Sequence, residues 1–157
     1  MHRNLQIFSL LVDNEFGVLT RITALIRREG LNIKGLTVAE TLTPSVSHLT
    51  VTVEMQGVKL ETVVKRLGRL DCIRSFTVCT DAGFVRQELC LVVCTRESGL
   101  WQGQPILWED ATSVCFSCVG TPEALTAYLA ENRAHLLRVS RSGVVTIQKG
   151  EGAHEAE

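Results

Sequence analysis

The chain has 157 residues, 16 basic and 17 acidic, a formal charge of −1 and 45% hydrophobic residues. That length holds one ordinary domain or two small ones, each small enough to favour association. The balanced charge, with no basic stripe, argues against a nucleic-acid groove, and no apolar run reaches the roughly 20 residues that span a bilayer.

Met1-His2-Arg3-Asn4 enters a strand pattern without the apolar run and small-residue cleavage site of a signal peptide, so a soluble cytoplasmic protein is expected. The first strand is Asn4–Val12, apolar on both faces. Asp13-Asn14-Glu15-Phe16-Gly17 is a polar turn, and a helix follows over Gly17–Arg28. Its Val18, Ile22, Leu25 and Ile26 form one apolar stripe. Gly30 ends that helix as a left-handed cap. A second strand covers Leu31–Thr41, and a turn at Thr43-Pro44-Ser45 leads to a third, where Leu49, Val51 and Val53 alternate with His48, Thr50, Thr52 and Glu54. A second helix is expected over Val58–Leu70, with Leu60, Val63, Val64 and Leu67 inward, and a fourth strand over Cys72–Thr80. The order βαββαβ predicts an α+β, ferredoxin-like sandwich for residues 1–80. Phe8, Leu10 and Val12 are expected on the sheet face away from the helices, making it apolar enough to need a partner.

Asp81-Ala82-Gly83 opens a hinge expected over 81–86. A second α+β domain, 87–149, then reads as strands Gln87–Thr95, Ile106–Trp108 and Ser113–Val119. A helix begins with Thr121 as N-cap, Pro122 at the first position and Glu123 in the first turn. Leu125, Tyr128 and Leu129 are its inner residues. The last strand, Leu136–Gln148, is expected to be interrupted at Ser142-Gly143. Arg96–Gln104 is too short and too rich in Gly and Gln for a crossover helix, so this domain is expected to be a shortened ferredoxin-like unit. That would expose apolar sheet near Trp101 and Trp108. The polar tail, 150–157, is expected to be disordered.

Six cysteines (72, 79, 90, 94, 115 and 118) lie in or beside strands and read as reduced, buried small hydrophobes. Cys115 and Cys118 have the spacing of half a zinc site, but i and i+3 in a strand point to opposite faces. Asp13 and Glu15 lack a nucleophile or histidine, so no catalytic constellation is legible. No glycine-rich phosphate loop is present.

The feature with chemical content is the helix start after Gly17. Unpaired N–H groups and the positive end of the helix dipole suit a carboxylate or phosphate, and glycine leaves the approach open. Asn14 reads either as a helix cap or turn residue or as a ligand group, and Asn32 either as part of the helix-end region or as a ligand group.

LLVDNEFGVLTRI, REGLNIKGLTV and SHLTVTVE, together with RVSRSGVV near the end, resemble the small regulatory subunits of acetolactate synthase (acetohydroxyacid synthase). The likeness runs from Leu5 to Gln148. It implies an N-terminal ACT domain, an amino-acid-sensing ferredoxin-like module, in a homodimer that binds the large catalytic subunit. That partner would carry thiamine diphosphate, Mg and FAD, and this non-catalytic chain no cofactor. The resemblance further implies activation of the partner and feedback inhibition by valine, with leucine or isoleucine as possible ligands. It places the ligand between two ACT domains: Asn14, Gly17, Val18 and Leu19 from one protomer, Asn32 and Ile33 from the other. The residues agree with such a site. Amides after Gly17 would take the carboxylate, Asn14 and Asn32 would supply donors and acceptors, and Val18, Leu19 and Ile33 would line a slot for a branched side chain. The rival reading is an ACT module regulating another enzyme or a transcription factor.

Overall fold

A computed structural model describes residues 5–55 and 60–150. The expected starts of the first strand at Asn4 and of the second helix at Val58, and the tail beyond Gly150, lie outside the described residues. Two compact units result. One runs to Val85 and takes in the chain from Thr146, and the other spans Arg86–Val145.

The first unit contains β1 (Leu5–Asp13), α1 (Val18–Arg28), β2 (Asn32–Glu40), β3 (Val46–Glu54), α2 (Leu60–Leu67) and β4 (Ile73–Val78). The sheet order is β2-β3-β1-β4, with antiparallel neighbours. This is the ferredoxin-like arrangement. Helix α1 buries Val18, Ile22 and Ile26, the stripe legible from its spacing. It ends in a paired turn: Gly30, at φ 72°, donates its N–H to the Arg27 carbonyl, and Leu31 donates to Ile26. Leu31 and Ile26 are both buried, so the turn that satisfies the helix's last carbonyls also anchors it in the core.

Phe8, Leu10 and Val12 correct the sequence reading. They lie in the core beneath the helices, with Phe8 opposite Val51 and Leu10 opposite Leu49. Because strand residues alternate, the other face carries Ile7, Ser9 and Leu11 opposite Thr52, Thr50 and His48. That face is largely polar. Ser9 Oγ lies 2.8 Å from His48 Nε2, and buried Thr50 meets Thr146 of the returning chain end at 3.3 Å.

The second unit holds most of β5 (Phe84–Thr95), β6 (Ile106–Glu109), β7 (Ser113–Gly120), α3 (Pro122–Glu131) and most of β8 (Leu136–Gln148). Its sheet order, β6-β7-β5-β8, repeats that of the first unit. The first crossover helix is absent. A single 3-10 turn, Arg96–Ser98, leads through further turns to β6. Leu100 and Trp101 pack against the core, and Trp101 Nε1 donates to the Arg96 carbonyl at 3.1 Å. Trp101 is therefore held by its own unit, whereas the sheet near Trp108, itself 43% exposed, leaves Ile106 and Leu107 exposed as well.

Thr121 caps α3 by accepting the Ala124 N–H at 3.2 Å. Strand β8 runs through Ser142-Gly143 rather than breaking there. Gly143 takes φ 83°, and Ser142 Oγ accepts the Leu89 N–H at 3.1 Å, which keeps the distorted stretch tied to β5. Arg141 pairs with the buried Glu88 carboxylate and also reaches Thr126 of α3 at 3.1 Å. The charged residue of the RSGVV stretch thus joins two strands and a helix.

Candidate functional site

The β1–α1 turn brings four of the six expected site residues to one end of the first sheet. Gly17, at φ 83°, is the N-cap of α1; it contributes no side-chain cap, and the first helical turn contains no acidic residue. The ladder begins with Arg21 donating to the Gly17 carbonyl at 2.9 Å, so the Leu19 and Thr20 N–H groups precede it. Nothing lies within 4 Å of where a Gly17 Cβ would stand. The positive helix end is therefore open to an anion, with no acidic residue in its own first turn.

Beside it is a small cleft of about 70 Å³. Val12, Val18, Ile22 and Leu49 give it an apolar floor, with Leu19 and Val38 at the rim and Asp13, Asn14, Glu15 and Ser47 as its polar side. Val18 is buried and Leu19 is 40% exposed, so one braces the floor while the other faces out.

Asn14 is not the helix cap. Its amide donates to Glu40 and to the Pro44 carbonyl, both at 2.9 Å, while its own N–H reaches the Ser45 carbonyl. These bonds fasten the β1–α1 turn to the β2–β3 turn and so shape the cleft wall. Asp13 is engaged by Arg74 at 2.7 Å.

Asn32 and Ile33 open β2 and lie at its other end. Asn32 stands opposite Glu54, itself paired with Leu5, whereas Glu40 stands opposite Ser47 near the cleft. Nine strand residues separate the two ends by roughly 26 Å. Within one protomer these two residues do not meet Asn14. Ile33 packs partly against its own core, and Asn32 is exposed at the start of an edge strand rather than in a helix cap.

Sequence reasoning missed Val38, Ser47 and Leu49 as cleft residues and Glu40 as the partner of Asn14. Their strands were legible, but their position depended on strand order. The signal was the alternation in β3, which places Leu49 on the helix side with Ser47 two residues away.

Among the described residues, no group of three or more His, Cys, Asp or Glu side chains is placed to hold a metal, and no helix is long and apolar enough to cross a membrane. Arg21 holds the Asp71 carboxyl below its ordinary range through their hydrogen bond, and burial raises the Cys90 and Cys118 thiols.

A ferredoxin-like sheet with an open, glycine-capped helix start beside an aliphatic cleft defines an ACT-type module. The family model described as "AHAS small subunit-like ACT domain" matches residues 8–74. The acetolactate synthase isozyme 3 small subunit of Salmonella typhimurium is 31% identical, with 93% of this chain and 96% of that protein covered. The acetolactate synthase small subunit of Mycolicibacterium smegmatis is 29% identical over 90% of this chain and 89% of its own length. In fold, the crystal structure of the Thermotoga maritima acetolactate synthase small subunit matches with a TM-score of 0.80 at 21% identity, covering 95% of this chain and 99% of that one. The chain belongs to the acetolactate synthase small-subunit family.

Proposed function

We propose that this chain is a non-catalytic regulatory subunit that activates the large, thiamine-diphosphate-dependent catalytic subunit of acetolactate synthase and makes it sensitive to valine. The observation that carries the reading is the pairing of an open, glycine-capped helix start with an aliphatic cleft beside it. A free amino acid needs both: donors for its carboxylate and a dry slot for its side chain. Val18, Leu19, Ile22, Val38 and Leu49 suit a branched aliphatic group.

The ammonium end calls for acceptors, and here a second copy completes the site. Strand β2 is an unpaired sheet edge. If two copies join by antiparallel pairing of β2 with β2, each strand's beginning lies beside the other's end. The partner's Asn32 and Ile33 then lie beside the Glu40 end of the strand, Ile33 on the helix side with the cleft and Asn32 on the face away from it. Binding across that seam stabilises one dimer geometry over others, which gives a small ligand leverage over a large partner.

Titrating valine, leucine and isoleucine into the isolated protein, with heat and oligomer size followed together, tests the reading. Saturable heat with the largest response to valine, accompanied by valine inhibition once the catalytic subunit is added, is the expected result. Absence of heat with all three ligands, or a reconstituted enzyme indifferent to valine, would refute it.

A further inference from the structure

Cys90 on β5 and Cys118 on β7 stand directly opposite each other in the second sheet. Opposed residues share a face, and antiparallel pairs have Cα atoms roughly 4.5–5.5 Å apart, inside the roughly 4.4–6.8 Å window that a disulfide spans. Both thiols are free. No other opposed pair in this ladder places two cysteines together: Cys94 faces Val114, and Cys115 faces Val93.

Their surroundings are unequal. Cys90 is fully buried in the core, whereas Cys118 is half-buried. Strand β6 pairs with β7 over Val114–Phe116, so the β6–β7 ladder stops short of Cys118. The crossover helix missing between β5 and β6 leaves only a short turn segment on that side of the fold. Burial pushes the Cys90 thiol up to about 11, and Cys118 is also raised. Cys118 is thus the sulfur a reagent in solution meets first.

We infer that Cys90 and Cys118 form an oxidisable dithiol, a modification site at which a small-molecule disulfide closes a cross-strand bond between β5 and β7. In the first step the Cys118 thiolate attacks one sulfur of the reagent, forming a mixed disulfide and releasing one small thiolate. In the second, Cys90 gives up its proton to solvent and attacks the Cys118 sulfur, displacing the second small thiolate. Two protein thiols are oxidised and one small disulfide is reduced to two thiols, which take up the two protons. Cys118 is the entry point, and Cys90, shielded from the reagent, resolves. The second unit would then answer to the thiol–disulfide balance of its surroundings through a bond made inside its sheet.

Glutathione disulfide in excess, added to the folded full-length protein, tests this. The six titratable thiols should fall to four with loss of two hydrogens per chain, and peptide mapping should find Cys90 joined to Cys118. Dithiothreitol should restore all six. Cys90→Ser should arrest the reaction with glutathione held on Cys118, and Cys118→Ser should leave Cys90 unmodified. Glutathione retained on Cys118 of the unsubstituted protein with Cys90 still reduced would overturn the inference. So would a bond to any other cysteine, or no reaction while the urea-unfolded chain is oxidised under the same reagent. The unsubstituted chain carries the decisive mapping, so the result does not depend on either variant folding.

Discussion

Gly17 joins conformation and recognition in one residue. Its φ of 83° is costly for most side chains, yet the space around an added Cβ is empty. A substitution there acts through strain and charge rather than collision. Asp and Asn tolerate this backbone region best and differ mainly in charge. Gly17→Asp should abolish valine inhibition while retaining activation, because a carboxylate ~4 Å from the ligand's own would repel it by up to about 4 kcal/mol at intermediate dielectric. Gly17→Asn should retain measurable binding. Calorimetry and a reconstituted assay check both, and equal loss in the two variants would point to strain alone. Asn14 makes a different argument, since its amide is occupied by Glu40 and the Pro44 carbonyl. Asn14→Ala should lower stability by about 1 kcal/mol through the lost bonds and weaken valine binding by roughly 1–3 kcal/mol as the cleft wall loosens. Urea denaturation and calorimetry separate the two effects. The sequence offered Asn14 as a cap or a ligand group; its bracing role depends on a strand turn thirty residues away, which local spacing cannot reveal.

At the level of elements, legibility followed the range of the forces involved. Helix α1 was readable because its stripe, glycine start and glycine end are all local. Thr121-Pro122-Glu123 announced α3 for the same reason. The missing crossover helix was also legible, because too few suitable residues separate β5 from β6. What failed was the facing of β1. A strand apolar on both sides gives no parity signal, and only pairing with β3 assigns Phe8, Leu10 and Val12 to the core. The seating of Trp101 was not legible either, because it depends on its indole N–H bonding the Arg96 carbonyl within the turn. The β6–β7 turn supports a pH prediction. Asp110 accepts the N–H groups of Thr112 at 2.8 Å and Ser113 at 2.7 Å. These bonds favour its charged form and hold it below the ordinary 3.8. A carboxyl whose folded value is depressed stabilises the fold above its unfolded value, and that contribution is lost as pH falls through the folded value. An NMR titration should therefore place the Asp110 midpoint below 3.8, and Asp110→Asn should flatten the acid side of the turn's stability profile.

For the whole molecule, the question is which edge another copy uses. An antiparallel β2–β2 seam that puts the start of the partner's β2 beside Glu40 has its two-fold axis near Leu36. The register shift between Ile33 and Gly35 leaves Asn32 and Lys34, which pairs with Glu54, on the face away from the helices, whereas Val38, opposite Leu49, is on the helix side. Val38 is 47% exposed in the single chain, so its apolar side chain is free to pack on the partner's edge, twice per dimer, because a two-fold interface repeats each contact. A charge of either sign there forfeits that burial. Val38→Lys and Val38→Glu should therefore both raise the dimer dissociation constant roughly tenfold, measured by sedimentation without ligand. Val38→Ile, which keeps the apolar contact, should keep the dimer intact. If neither charged variant dissociates the dimer, the copies join elsewhere, and the start of β2 has no route to the cleft.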